Sequence, residues 1–226
     1  MKLAIPDMIS NSYFPAIAAI ELGCFKDEGL DVTLEMIYPV DKCYAALRDG
    51  AVELVGGSAH SALAAFPEFR GVKLIGAQAQ GMYWFLILHK DFGARRGVGT
   101  LVLDIRRGDG PKPCFNYTMA SIATTDRLIK ESPDAAAAAV RALVKTQKAL
   151  KQDPTLATGI GRKLFPPSEA ELIAELIRRD GPYYDAAISP AFVDGMNQFA
   201  RDVGILKGQV PYEQVVATQF TKEWAG

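Results

Sequence analysis

Between Lys2 and His89 the chain alternates short apolar runs with segments that carry a helical stripe, and glycine, Asp-Gly or proline marks most of the joins. The runs Lys2 to Ile5, Leu30 to Ile37, Val52 to Gly57, Val72 to Ala79 and Tyr83 to His89 have the length and β-branched content of strands. Between them lie a helix that Asn11 or Ser12 can cap and Gly23 stops, a short helix from Val40 to Arg48 ended by Asp49-Gly50, and a small-residue helix to Phe66. Strand and helix in strict alternation is the rhythm of βαβ crossovers, so an α/β fold with a parallel sheet is expected. In such a sheet polar residues gather at the carboxyl ends of the strands and build the ligand site there.

After His89 the rhythm breaks. Asp91 to Gly99 reads as a turn-rich bridge, Thr100 to Ile105 as a strand, and Arg106 to Pro113 as a charged loop in which Arg106 and Arg107 are expected in solvent, one of them within reach of an anionic ligand. Phe115 to Thr124 is a further strand. A long helix then follows, with Ser132 as its cap and Pro133 at its first position, placing Val140, Leu143, Val144, Gln147 and Leu150 on one face. Ser168 with Glu171 has the spacing of a capping box ahead of Leu172, Ile173, Leu176 and Ile177. Ser189-Pro190 opens a helix whose Phe192, Val193, Met196, Phe199, Ala200 and Val203 form one stripe, and Pro211 opens a last short one.

Composition narrows the function classes. With 226 residues, 49% of them hydrophobic, the chain can bury a large core, and a net charge of −1 gives no handle for nucleic acid. No apolar run reaches the roughly 20 residues that span a bilayer. Three scattered cysteines exclude a fully paired disulfide framework, and two histidines leave few parts for a zinc site or a catalytic triad. No cofactor is expected, and neither is a catalytic residue or a metal.

The order of pieces resembles a known group. Tyr13-Phe14-Pro15-Ala16-Ile17-Ala18-Ala19-Ile20-Glu21-Leu22-Gly23-Cys24-Phe25-Lys26-Asp27-Glu28-Gly29-Leu30-Asp31-Val32 is similar to the "P-x-x-x-A-x-E-x-G-F-F-K-x-E-G-L-D-V" block of substrate-binding proteins of ABC importers, in the NMT1/THI5-like group that binds alkanesulfonates, nitrate, taurine and thiamine precursors. Ala45 to Glu53 resembles that group's "A-L-x-x-G-x-V-D", and Ile129 to Pro133, continued to Asp153-Pro154, resembles its stretch after the hinge. The resemblance implies a periplasmic-binding-protein fold of type II, two lobes around a ligand cleft. Between Lys90 and Leu101 the chain lacks the segment that would carry most of lobe 2, so the second lobe is expected to be truncated. The implied division is 1–90 for lobe 1, 91–125 for the shortened lobe 2 and its crossing segments, and 126–226 for a C-terminal helical segment packing on both.

On that reading the protein captures a small organic solute (aromatic, sulfonate, carboxylate or pyrimidine-like) and presents it to a membrane permease, in the periplasm or at the outer face of the membrane. Self-association is expected if lobe 2 is truncated. The hinge is placed near Lys90 to Thr100 and Thr124 to Asp126. The candidate ligand residues are Ser10, Asn11, Ser12 and Tyr13 after the first strand; Asp41 at the second helix, suited to an amine or hydroxyl; Ser58, Ala59 and His60 after the third strand; Gln78, Tyr83 and Trp84 after the fourth; and Asn116 and Tyr117 on the facing wall. Each also has a bland reading, as helix cap, core aromatic or loop residue. Cys114 and Phe115 lie where pyrimidine synthases of the group carry a cysteine-rich motif, of which only these two residues remain. That makes a synthase-like enzyme, with a reactive His60 and a lysine-held cofactor aldehyde, the disfavoured rival. A cytosolic ligand-sensing domain is the other, disfavoured because such a domain is expected to follow a helix-turn-helix segment.

Overall fold

The computed structural model describes residues 1–8, 10–88, 100–110, 117 and 119–225. Strands β1 (Lys2–Ile5), β2 (Thr33–Met36), β3 (Leu54–Ser58), β4 (Val72–Ala77) and β7 (Ala120–Thr125) form one sheet in the order β2-β1-β3-β7-β4. Strands β5 (Phe85–Leu88) and β6 (Thr100–Asp104) form a separate antiparallel pair. β1 runs parallel to β2 and β3, but β7 lies antiparallel between β3 and β4. The expected all-parallel sheet is therefore mixed. β7 returns late in the chain and wedges between two strands that are neighbours in sequence, and β5 leaves to pair with β6.

Period-two alternation divides the core. Leu3 and Ile5, with Leu54, Ile75 and Ile122, face the side covered by α1 (Phe14–Glu21), α2 (Cys24–Asp27), α6 (Pro133–Gln152), α7 (Leu156–Leu164) and α8 (Pro167–Asp180). Ala4, Val55, Leu74 and Ala123 face the side covered by α3 (Val40–Arg48), α4 (Ala62–Ala65), α9 (Pro190–Asp202) and α10 (Tyr212–Val215). α5 (Asp126–Glu131) joins β7 to α6. Gly56 and Gly57 in β3 allow the close approach on both faces: a Cβ on Gly56 would lie 3.2 Å from Ile5 and 3.3 Å from Ala16 of α1, and one on Gly57 would lie 3.0 Å from Val40 of α3.

The C-terminal segment seals the β4 edge. Ala217 N–H donates to Leu74 O at 3.0 Å, Trp224 Nε1 donates to Ile75 O at 2.9 Å, and Lys73 Nζ reaches Glu213 O at 2.5 Å. Glu28, with only a tenth of its side chain exposed, accepts from Arg141 at 2.6 Å and pairs with Lys145, tying α2 to α6.

Several expected caps are replaced. Gly23 does stop α1, with φ at 77°, and Ser189 Oγ accepts from Phe192 N–H at 3.3 Å as expected. Ser132 makes no side-chain cap, and α8 starts at Pro167, one residue before the proposed capping box, with no side-chain cap. Neither Asn11 nor Ser12 caps α1, because both side chains are drawn to distant charged groups. On α8, Ile173 and Ile177 are buried while Leu172 stays 62% exposed, so the apolar face is narrower than the sequence pattern.

Candidate functional site

The carboxyl ends of β1, β3 and β4 lie along one edge of the sheet, and β7 enters from that edge. Tyr117, just ahead of β7, is fully buried, and its hydroxyl accepts the backbone N–H of His60 at 3.0 Å while standing 2.5 Å from His60 Nδ1. A buried phenol needs an acceptor for its own proton, and Nδ1 is the acceptor in reach. That assignment makes Nδ1 the acceptor and leaves the imidazole proton on Nε2. Burial pushes the His60 pKa down to about 4, against the opposing pull of the Asp41 carboxylate, so the ring is neutral at neutral pH.

Around His60 the rings of three elements meet. Its centroid lies 4.9 Å from Phe199 of α9 and 5.9 Å from Tyr117, and Phe199 lies 6.2 Å from Trp84. Val40 and Asp41 at the start of α3, His60 and Ser61, Phe199 of α9 and Val203 just after it border a groove of about 630 Å3. Asp41 is exposed at its rim.

A second cluster lies behind this groove and is closed. Arg106, in the turn after β6, has 2% of its side chain exposed and pairs with Asp180 at the end of α8 at 3.0 Å; Asp180 is 1% exposed. Asp180 also accepts from Asn11 and from Arg179 Nε. Arg106 donates to Ser12 Oγ at 3.4 Å, and its guanidinium carbon sits 4.6 Å from the Tyr183 ring centroid. Burial holds the Arg106 pKa below its usual value, with Asp180 opposing. The expectation of a solvated Arg106 is thus corrected. Asp104 caps its turn by accepting from Arg106 N–H at 3.1 Å, and the buried carboxylate of Asp180 draws the side chain inward. Arg107 stays in solvent, its side chain 68% exposed.

The remaining candidates divide between these places. Ser10 is bound to Asp7, its N–H donating at 2.6 Å. The Tyr83 hydroxyl donates to the Tyr13 hydroxyl at 3.2 Å, and burial raises the pKa of both phenols. Ser58 and Ser61 share a hydrogen bond at 3.1 Å inside the protein. Ala59 is buried and donates to Met119 O at 2.8 Å. Gln78 is fully buried, donating to Ser121 O at 3.0 Å and accepting from Ala16 N–H at 3.3 Å, so its amide staples α1 to β7 rather than lining the groove. Trp84 is 42% exposed beside Phe199. Asn116 and Cys114 lie outside the described residues, as do positions 90–99 of the hinge segment expected at Lys90 to Thr100. Asp180, Tyr183 and Phe199 were not anticipated as site residues. Phe199 carried a signal, its place in the α9 stripe, but that stripe reads equally as core.

No family model matches the chain, and no curated protein matches it. Solved structures do match its fold. A protein from Bordetella bronchiseptica RB50 superposes with a TM-score of 0.76 at 13% identity, over 98% of this chain and 95% of its own. The ligand-binding component of an ABC-type import system from Staphylococcus aureus, with zinc bound, gives 0.73 at 10% identity, over 99% and 98%. The periplasmic sulfonate-binding protein SsuA of Methylobacillus flagellatus KT gives 0.67 at 12% identity, over 98% and 92%. The chain has the periplasmic-binding-protein fold. At these identities the likeness is one of fold alone.

Proposed function

We propose that this protein is the solute-binding component of an ABC-type importer, holding a small organic solute without chemistry and handing it to a membrane permease. The observation that carries the reading is the groove at His60: a concave, ring-lined space with a few polar groups, at the carboxyl ends of parallel strands, where this architecture builds ligand sites. Fold likeness to binding components of import systems supports it. Among the described residues no helix is long and apolar enough to cross a membrane, and the reading places the protein in the periplasm or at the outer membrane face with the permease as its partner.

In this proposal residues 1–90 form lobe 1, 91–125 the truncated lobe 2, and 126–226 a helical segment that packs on both. Asp41, His60, Trp84 and Tyr117 act at or directly behind the solute. Ser12, Asn11, Tyr13 and Tyr83 form the closed wall behind them, with Arg106 as the tether between lobes. Binding rather than reaction fits His60, whose Nδ1 is committed to Tyr117.

A thermal-shift screen of the intact protein tests this, with sulfonates, aromatic carboxylates, organic amines and pyrimidines as the panel. A true solute at one hundred times its Kd adds about 2.7 kcal/mol. At least one compound class should raise Tm in a concentration-dependent way, and a flat response across the panel by a protein shown to be folded overturns the reading.

A further inference from the structure

We infer that the groove at His60 takes an organic cation, an amine or ammonium group carried on an apolar body. The inference rests on the solute-binding reading and names the class of solute. Among the described residues that line the groove, Asp41 is the one charged side chain, and no ion pair with a described residue neutralises it. The walls around it are apolar: Val40, Leu63, Phe199, Val203 and Ile205. His60 contributes a neutral ring, held so by burial.

An anionic solute would meet Asp41 with no compensating charge on the lining. Arg106, with almost none of its side chain exposed, is committed to Asp180. A cation in the groove meets the Asp41 carboxylate and shares the space with the Phe199 ring, both of which attract positive charge. The imidazole Nε2–H supplies one donor for an acceptor elsewhere on the same solute. A volume of about 630 Å3 suits a molecule of that size.

The test uses three probes with one apolar body and different head groups: 2-phenylethylamine, 3-phenylpropionate and 2-phenylethanol. Each is titrated at neutral pH into the full chain, and binding is read from the His60 imidazole resonances. The ammonium compound should bind about tenfold more tightly than the carboxylate, and Asp41→Asn, at an exposed position, should remove most of that preference, as expected for a partly screened charge. A carboxylate that binds as tightly as the amine, or an amine preference untouched by Asp41→Asn, overturns the cation assignment and leaves a solute site in place. If none of the three moves the His60 resonances at millimolar concentration, the groove is no solute site, and the cation assignment falls together with the reading it rests on.

Discussion

Replacing Asp180 by Asn puts the tether between the β6 turn and α8 to a quantitative test. The guanidinium of Arg106 and the carboxylate of Asp180 are 2% and 1% exposed and 3.0 Å apart. Removing one member of a buried pair leaves the other charge desolvated, which costs about 3–5 kcal/mol. Neutralising both, as in Arg106→Met with Asp180→Asn, keeps an amide for Asn11 to meet and should cost no more than about 1–2 kcal/mol, in the range of one imperfect buried hydrogen bond. With each single variant at about 3–5 kcal/mol and the double at about 1–2 kcal/mol, a double-mutant cycle should therefore return a coupling energy of at least about 4 kcal/mol. In urea, with m near about 2 kcal/mol/M, the single Asp180→Asn variant should lose roughly 1.5–2.5 M in midpoint at unchanged m. If the single variant loses no more than the double, Arg106 escapes to water at little cost, and the tether from the β6 turn to α8 does not hold in solution.

Three further outcomes follow from particular contacts. His60 has a depressed pKa, so between about pH 6.5 and about 4 the unfolded chain takes up a proton that the folded chain refuses. Stability should accordingly fall with acidification across that window, by up to about 3 kcal/mol, and His60→Gln should flatten the urea-midpoint profile; a profile unchanged by the substitution contradicts the buried neutral ring. Glu28 is held below the usual carboxylate range by its hydrogen bonds from Lys145 and Arg141, so it stabilises above the ordinary glutamate pKa and loses that as pH falls further. Glu28→Gln should lower Tm by roughly 2–4 °C, an effect of about 1 kcal/mol measured by calorimetry at pH 7 and diminished at pH 3. Gly57→Ala places a methyl 3.0 Å from Val40, and the overpacking should cost about 1–3 kcal/mol in chemical denaturation, with no loss indicating that α3 can shift away from β3.

What the sequence made legible follows the range of the forces involved. Strands β1 to β4 and helix α3 are announced by local periodicity and by turn residues, and α3 occupies Val40–Arg48 as expected. The insertion of β7 between β3 and β4 has no local signature, because pairing partners more than forty residues apart are chosen by the whole sheet, as in Gly57 with Ser121. His60 and Asp41 were findable, since a polar residue after a strand and an acid in a helix's first turn are local features. Their neighbour Phe199 was not, because one aromatic in an apolar helical stripe does not declare which of its neighbours leaves a space. Asp180 sits between Arg179 and Gly181 with nothing to mark it, yet its burial redirects Asn11, Ser12 and Arg106 away from the local roles that their positions suggest.

The central claim is that solute binds at the strand-end groove. Its most direct measurement is a titration of the isotope-labelled full chain with a compound that raises Tm, followed residue by residue by NMR. Shifts concentrated at Asp41, His60, Ser61, Phe199 and Val203, saturating with the same affinity as the thermal effect, are the predicted result. Saturating shifts gathered instead around Phe14, Leu172 and Leu176, where α1 and α8 border a separate apolar hollow, with His60 unmoved, would contradict it.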